Sequence, residues 1–169
     1  MKTLVVYQSK TGFARKYAGM IATALGAQLM PLKDVKPLIM SRYENVVFGG
    51  GLYAASVNGL KKAKKMFYAS NAKNFVIFAT GATPNVAKDT VDAMWKKNLS
   101  NFEQNSMPHF YMQGGLAYED MGKLDRVVMT MVANIKGKKD ENGVNHMKES
   151  QDNTSAEFIE PLVECIKAL

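Results

Sequence analysis

Ser9, Lys10, Thr11, Gly12, Phe13 and Ala14 follow a short apolar run and open a helical pattern. Two hydroxyls and a glycine in that position make an anion cradle. Backbone N–H groups converge there, the helix start carries partial positive charge, and Ser9 and Thr11 add donors. The spacing is neither GxxxxGK[ST] nor GxGxxG, so a nucleoside triphosphate or NAD is disfavoured and a terminal phosphate monoester fits better. The same residues also read as a helix-capping turn without a ligand.

Two further turns have unusual composition. GGGLYAAS (49–56) offers glycines at Gly50 and Gly51 that permit close backbone approach, then Leu52, Tyr53 and Ala54, with Tyr53 a flat stacking surface. ATGATPN (79–85) supplies Thr80, Gly81, Ala82 and Thr83, a tight backbone with polar atoms. Each alone also reads as an ordinary turn. Together, one ligand with a phosphate at one end and a flat ring at the other would touch all three.

The elements that must position these turns are legible as apolar runs. TLVVY (3–7), AQLMPL (27–32), NVVFGG (45–50), NFVIFAT (74–80) and HFYMQ (109–113) read as strands. The first, third and fourth are nearly continuous, as expected of strands buried on both faces of a parallel sheet. Helical spacing falls at 13–25 (Phe13, Tyr17, Met20, Ile21, Leu25) and at 57–69 (Val57, Leu60, Ala63, Phe67 inward; Lys61, Lys62, Lys65 outward). It recurs at 86–98, where Val86, Val91, Met94 and Trp95 share a face after Pro84, a residue suited to a helix start, and at 155–168. Between Lys33 and Glu44 only a brief helical turn is expected. The fold expected is α/β, a doubly wound five-stranded parallel sheet of order 2-1-3-4-5, forming one domain over 1–169. An insertion over about 114–153 precedes the last helix; Leu124, Val127, Val128, Met131 and Ile135 have helical spacing, and 136–153 reads as a mobile polar loop. In such sheets ligands bind outside the carboxyl ends of the strands, where the three turns fall.

Composition narrows the function classes. The 169 residues carry a net charge of +7, unevenly: 1–100 hold 15 Lys/Arg and 4 Asp/Glu (+11), and 101–169 hold 7 and 11 (−4). A basic half suits an anionic ligand or surface, although Lys61 to Lys65 read as a solvated helix face. No aromatic-interleaved basic strand supports nucleic-acid binding. Cys165, the single cysteine, excludes an internal disulfide and reads as a packed thiol. No zinc spacing, Ser-His-Asp arrangement or paired carboxylates are present, His109 reads as core and His146 as solvated, and no catalytic acid, base or metal ligand is assigned. No apolar stretch nears the roughly 20 residues that span a bilayer, and no signal-peptide core is found, so a cytoplasmic location is expected.

SKTGFA resembles the phosphate loop of flavodoxins, [ST]-x-T-G-x-[ST], departing at Ala14, which removes one hydroxyl. GGGLYAAS and ATGATP resemble the two flavodoxin loops that hold the isoalloxazine ring. The resemblance covers essentially the whole chain and implies FMN as cofactor. A narrower one lies in YMQGGLAYEDMGKLDRVVMTMVANIKGKKDENG (111–143), which is similar to the insertion of bacterial menaquinone-dependent protoporphyrinogen dehydrogenases and their flavodoxin-like relatives. There a glycine-containing strand end leads to a Leu-Asp-Arg helix; here these are Gly114, Gly115, Leu124, Asp125 and Arg126. This implies an FMN-dependent oxidoreductase that oxidises protoporphyrinogen or a similar reduced substrate and passes electrons to a quinone, with Gly114, Gly115 and Tyr118 on the substrate side. Basic insertion residues Lys123, Arg126, Lys136, Lys138 and Lys139 would then suit peripheral contact with the inner face of the membrane, against the plain reading of a helix packed on the domain. The alternatives are a flavodoxin-type one-electron carrier serving redox partners, from which the pI of about 9.4 departs because such carriers resemble one another in being acidic, and a non-redox binding module.

Overall fold

The computed structural model describes residues 2–116 and 151–169. Five strands run parallel: β1 (Thr3–Gln8), β2 (Gln28–Pro31), β3 (Asn45–Tyr53), β5 (Asn74–Gly81) and β6 (His109–Gln113). Their order is β2-β1-β3-β5-β6, the 2-1-3-4-5 arrangement expected when only the parallel strands are numbered. A short strand β4 (Ser56–Val57) folds back antiparallel on the end of β3. Helices α1 (Phe13–Leu25), α2 (Pro37–Met40), α3 (Leu60–Tyr68), α4 (Lys88–Asn98), α5 (Asn101–Ser106) and α6 (Glu160–Ala168) make the connections and the carboxyl end.

The continuous apolar strands arise because successive side chains bury on opposite faces. Val5, Val47, Val76, Phe78 and Met112 point to one side, with Tyr17 and Ile21 of α1 and Leu162 and Ile166 of α6. Leu4, Val6, Val46, Phe48, Phe75 and Ile77 point to the other, with Leu60 and Ala63 of α3 and Met94 and Trp95 of α4. Helices therefore cover both faces. Register at the amino edge is pinned where Asn74 Nδ2 donates to Asn45 Oδ1 at 2.8 Å across a paired β3–β5 position. Lys61, Lys62 and Lys65 are exposed on α3, as their spacing implies.

Several expectations are corrected. Pro84 does not open a helix: α4 begins at Lys88, and Val86 lies in the preceding turn, 87% exposed, rather than with Met94 and Trp95. A helix beyond those expected, α5, is started by Ser100 and Glu103 with a reciprocal capping box. The carboxyl-terminal helical stretch is divided, a 3-10 turn over Ala156–Ile159 preceding α6. Gln151–Asp152, expected within a loop, form strand β8, which pairs antiparallel with β7 (Gly115–Leu116) because the two ends of the insertion meet beside α1. The helical spacing at 124–135, the polar stretch 136–150, Tyr118 and His146 lie outside the described residues. Among the described residues, no helix is long and apolar enough to cross a membrane.

Candidate functional site

The three turns meet at the carboxyl edge of the sheet, after β1, β3 and β5. In the first, Gly12 is the N-cap of α1 with φ +89°, a left-handed conformation that glycine adopts without a Cβ clash. Its N–H donates to Ser9 Oγ at 3.1 Å, so the Ser9 side chain closes the turn on itself. No side chain caps α1 and no acidic residue occupies its first turn, which leaves the positive helix end facing outward. Lys10 is exposed, Ser9, Thr11 and Phe13 are half-buried, and Ala14 is buried against the sheet. Ala14 thus offers the turn no hydroxyl and is 1% exposed.

The second turn is largely strand rather than turn. β3 runs straight through the glycines to Tyr53 and turns back into β4. Two of the three glycines are required by the protein itself. A Cβ on Gly49 would lie 1.8 Å from Phe78 Cζ, and one on Gly50 2.6 Å from the Asn58 carbonyl oxygen. Only at Gly51 is the space open, with no atom within 4 Å. Gly50 thus serves the hairpin, and Gly51 is the glycine that leaves the surface accessible. Leu52 packs inward beside Gly81, whereas Tyr53 is 48% exposed. The Lys10 ammonium sits 5.1 Å from the Tyr53 ring centroid, joining the first and second turns through a cation–π contact.

The third turn is tied to the neighbouring strand. Tyr111 Oη donates to the Thr83 carbonyl at 2.8 Å, and the Gln113 N–H donates to Asn85 Oδ1 at 2.8 Å. Burial pushes the Tyr111 hydroxyl up to about 12, so it stays a donor at any physiological pH. Gly81 lies over Leu52 and Tyr111; a Cβ there would come within 3.0 Å of Leu52 Cδ1. Ala82 is exposed and Thr83 half-buried. Thr80 is 3% exposed, and its hydroxyl has no hydrogen-bond partner among the described residues.

Gly114 and Gly115 have a structural reason to be glycine. A Cβ on Gly114 would lie 2.4 Å from Thr80 Oγ1, and one on Gly115 1.8 Å from the Gln151 carbonyl and 2.7 Å from Phe13 Cζ. Phe13 therefore rests on the strand end that leads into the insertion, so the insertion is rooted beside the first turn. Tyr17 fastens that root: its hydroxyl donates to the Gln113 carbonyl and accepts the Ser155 N–H at 3.2 Å. Burial raises its pKa, a rise partly countered by the Ser155 amide. His109 is half-buried, its Nδ1 2.8 Å from the Met107 carbonyl and its ring edge-on to Trp95 at 4.9 Å, a packing role. Cys165 is half-buried, and burial raises its thiol. Among the described residues, no cluster of three or more His, Cys, Asp and Glu could hold a metal.

Lys97 and Asn98, the last residues of α4, carry no motif and were not expected near the site. Lys97 Nζ donates to the Ala54 carbonyl and Asn98 Nδ2 to the Ala55 carbonyl, each at 2.7 Å. Sequence separation of 43 residues hides both contacts from any local pattern.

Three turns gathered at the carboxyl edge of a 2-1-3-4-5 parallel sheet define a flavodoxin-type α/β protein. The family model of the flavodoxin domain matches residues 4–142, and the chain belongs to that family. Among solved structures it is similar to a flavodoxin from the domain Archaea, with 18% identity over 80% of this chain and 99% of that one and a TM-score of 0.42. A flavoprotein in complex with FMN from Lactobacillus acidophilus shares 14% identity over 66% of this chain and 91% of that one, TM-score 0.45. For the two-electron reduced flavodoxin of Megasphaera elsdenii the values are 13%, 64%, 82% and 0.43. No curated protein matches.

Proposed function

We propose that the chain is an FMN-binding redox protein whose three turns hold one cofactor. The observation that carries this reading is the convergence of Lys10, Tyr53 and Gly51 with the uncapped start of α1. The residues fit the group in three respects. The first turn presents unpaired helix-end donors and two hydroxyls to a phosphate. The Cβ-free surface at Gly12 and Gly51 leaves room for close approach, with nothing within 4 Å of either Cβ position. The buried Thr80 hydroxyl lacks a partner among the described residues at this same edge.

In this reading Ser9, Thr11 and the backbone of Gly12, Phe13 and Ala14 bind the phosphate. Tyr53 would offer its exposed ring to the flat group, with Lys10 beside it. Thr80 to Thr83 line the opposite edge, held by Tyr111 and Asn85. FMN supplies one- and two-electron redox chemistry when bound. The chain's contribution is binding, orientation and exclusion of water, and no described side chain is assigned proton transfer.

The finer reading is a dehydrogenase that oxidises protoporphyrinogen or a comparable reduced substrate and delivers electrons to a quinone. It is supported by the rooting of the insertion next to Phe13, which brings the described ends of that segment beside the first turn, where this reading would set the phosphate. The excess positive charge of residues 1–100 suits a carboxylated substrate and an anionic bilayer surface where quinones reside. The electron-carrier reading uses the same fold and turns. Anaerobic reductive titration of FMN-loaded protein separates the two. Two-electron bleaching together with quinone-linked turnover supports the dehydrogenase, and two resolved one-electron steps support the carrier. Failure to take up FMN overturns both.

A further inference from the structure

The hairpin that presents Tyr53 is built against its own backbone preference. Ala54 and Ala55 have φ of +47° and +61°, the only non-glycine residues with positive φ among those described. They are the central pair of a two-residue loop between the paired positions Tyr53 and Ser56. Such loops select Asn-Gly or Gly-Gly, because L side chains clash in the left-handed region. Alanine has no side-chain group to offset the clash, so the conformation must be held from outside.

The holding groups come from α4. Lys97 Nζ takes the Ala54 carbonyl and Asn98 Nδ2 the Ala55 carbonyl, both at 2.7 Å. Asn98 Oδ1 accepts the Val57 N–H at 2.8 Å, so one carboxamide grips both sides of the turn. Its second amide hydrogen goes to the Met94 carbonyl at 2.8 Å, fixing the carboxamide to its own helix. Lys64 Nζ, 2.7 Å from Glu103, also lies 3.4 Å from the Asn98 carbonyl and steadies the end of α4.

We infer that Lys97 and Asn98 are positioning residues for cofactor binding, which hold the Ala54–Ala55 turn in its left-handed form and thereby set Tyr53 against the ring. The inference rests on the FMN reading above. A turn released from the clamp relaxes toward negative φ, carries Tyr53 away from Gly51 and Lys10, and loses the stacking surface. The phosphate end, on α1, is untouched.

The test combines Asn98→Ala with a turn that needs no clamp, Ala54→Asn/Ala55→Gly. FMN affinity is followed by quenching of flavin fluorescence, and the Val57 amide by hydrogen exchange in the FMN-free protein. Asn98→Ala is expected to weaken FMN roughly tenfold, the size of one lost hydrogen-bond network member, and to speed Val57 exchange. Adding the Asn-Gly turn to Asn98→Ala is expected to recover affinity to within about twofold of wild type. Lys97→Met, which leaves the carboxamide in place, is expected to weaken FMN roughly threefold and serves if Asn98→Ala folds poorly. Unchanged affinity in Asn98→Ala or in Lys97→Met overturns the inference, as does a loss that the Asn-Gly turn fails to recover. Wild-type protein that takes up no FMN overturns the cofactor reading instead, while Val57 exchange still reports the loss of its bond to Asn98.

Discussion

Lys16 Nζ lies 2.7 Å from Asp152 Oδ2, joining α1 to β8 across 136 residues of sequence. The Lys16 hydrogen bond, with those from the Thr154 hydroxyl and amide, holds the Asp152 carboxyl down to about 2 against an ordinary 3.8. Because the folded value is the lower one, the stabilisation is complete above 3.8 and is lost as pH falls through about 2. Both side chains are half-exposed, so the pair contributes no more than about 1 kcal/mol. Lys16→Ala is expected to move the Asp152 carboxyl back toward its ordinary value. Carbon-detected titration of the Asp152 carboxyl checks it; an unmoved midpoint refutes the assignment of Lys16 as the main cause.

The phosphate turn makes a separate prediction. Ser9→Ala with Thr11→Ala removes two hydroxyls from the start of α1 and leaves the buried face of that helix intact. FMN affinity is expected to fall, each lost charge-assisted hydrogen bond being worth about 1.5–3 kcal/mol. Part of the loss will come through Gly12, whose N–H loses its acceptor on Ser9. Calorimetric titration with FMN, and with riboflavin as the phosphate-free control, reads the effect. An equal loss for both ligands would place the phosphate elsewhere.

The glycine run separates packing from binding. Gly49→Ala forces a Cβ into the Phe78 ring and is expected to cost about 1–3 kcal/mol of stability. Gly51→Ala meets no atom within 4 Å and is expected to keep or slightly raise the melting temperature while weakening FMN. Thermal melts with and without FMN distinguish the two. Destabilisation of the Gly51 variant without FMN would show that its open face is needed by the fold.

What the sequence made legible follows from how each element is stabilised. β1, β3 and β5 bury both faces, so their apolar runs announce them, and α1 carries a strong inward stripe at Tyr17 and Ile21. Short elements held by single interactions were harder to read. For α5 the local signal is the capping box of Ser100 and Glu103, with no inward apolar stripe beside it. Ala54–Ala55 gave no hairpin signal because the residues that define the turn sit on α4. The grouping of the three turns could be read from strand order, whereas the division of labour among Gly49, Gly50 and Gly51 depends on Phe78 and Val57, which only the packed sheet brings near.

Tyr17 touches both margins of the insertion, the Gln113 carbonyl on one side and the Ser155 amide on the other. The excursion between them leaves and returns at a single phenol, on a helix already committed to the core. The two margins are held together by the Tyr17 hydroxyl and by the pairing of Gly115–Leu116 with Gln151–Asp152. With the margins already joined, the closure cost of a chain between them grows by only about 0.6 kcal/mol for each doubling of its length. Gln113 and Ser155 are accordingly the two points at which the intervening segment can be cut out and replaced while its anchorage on α1 is kept.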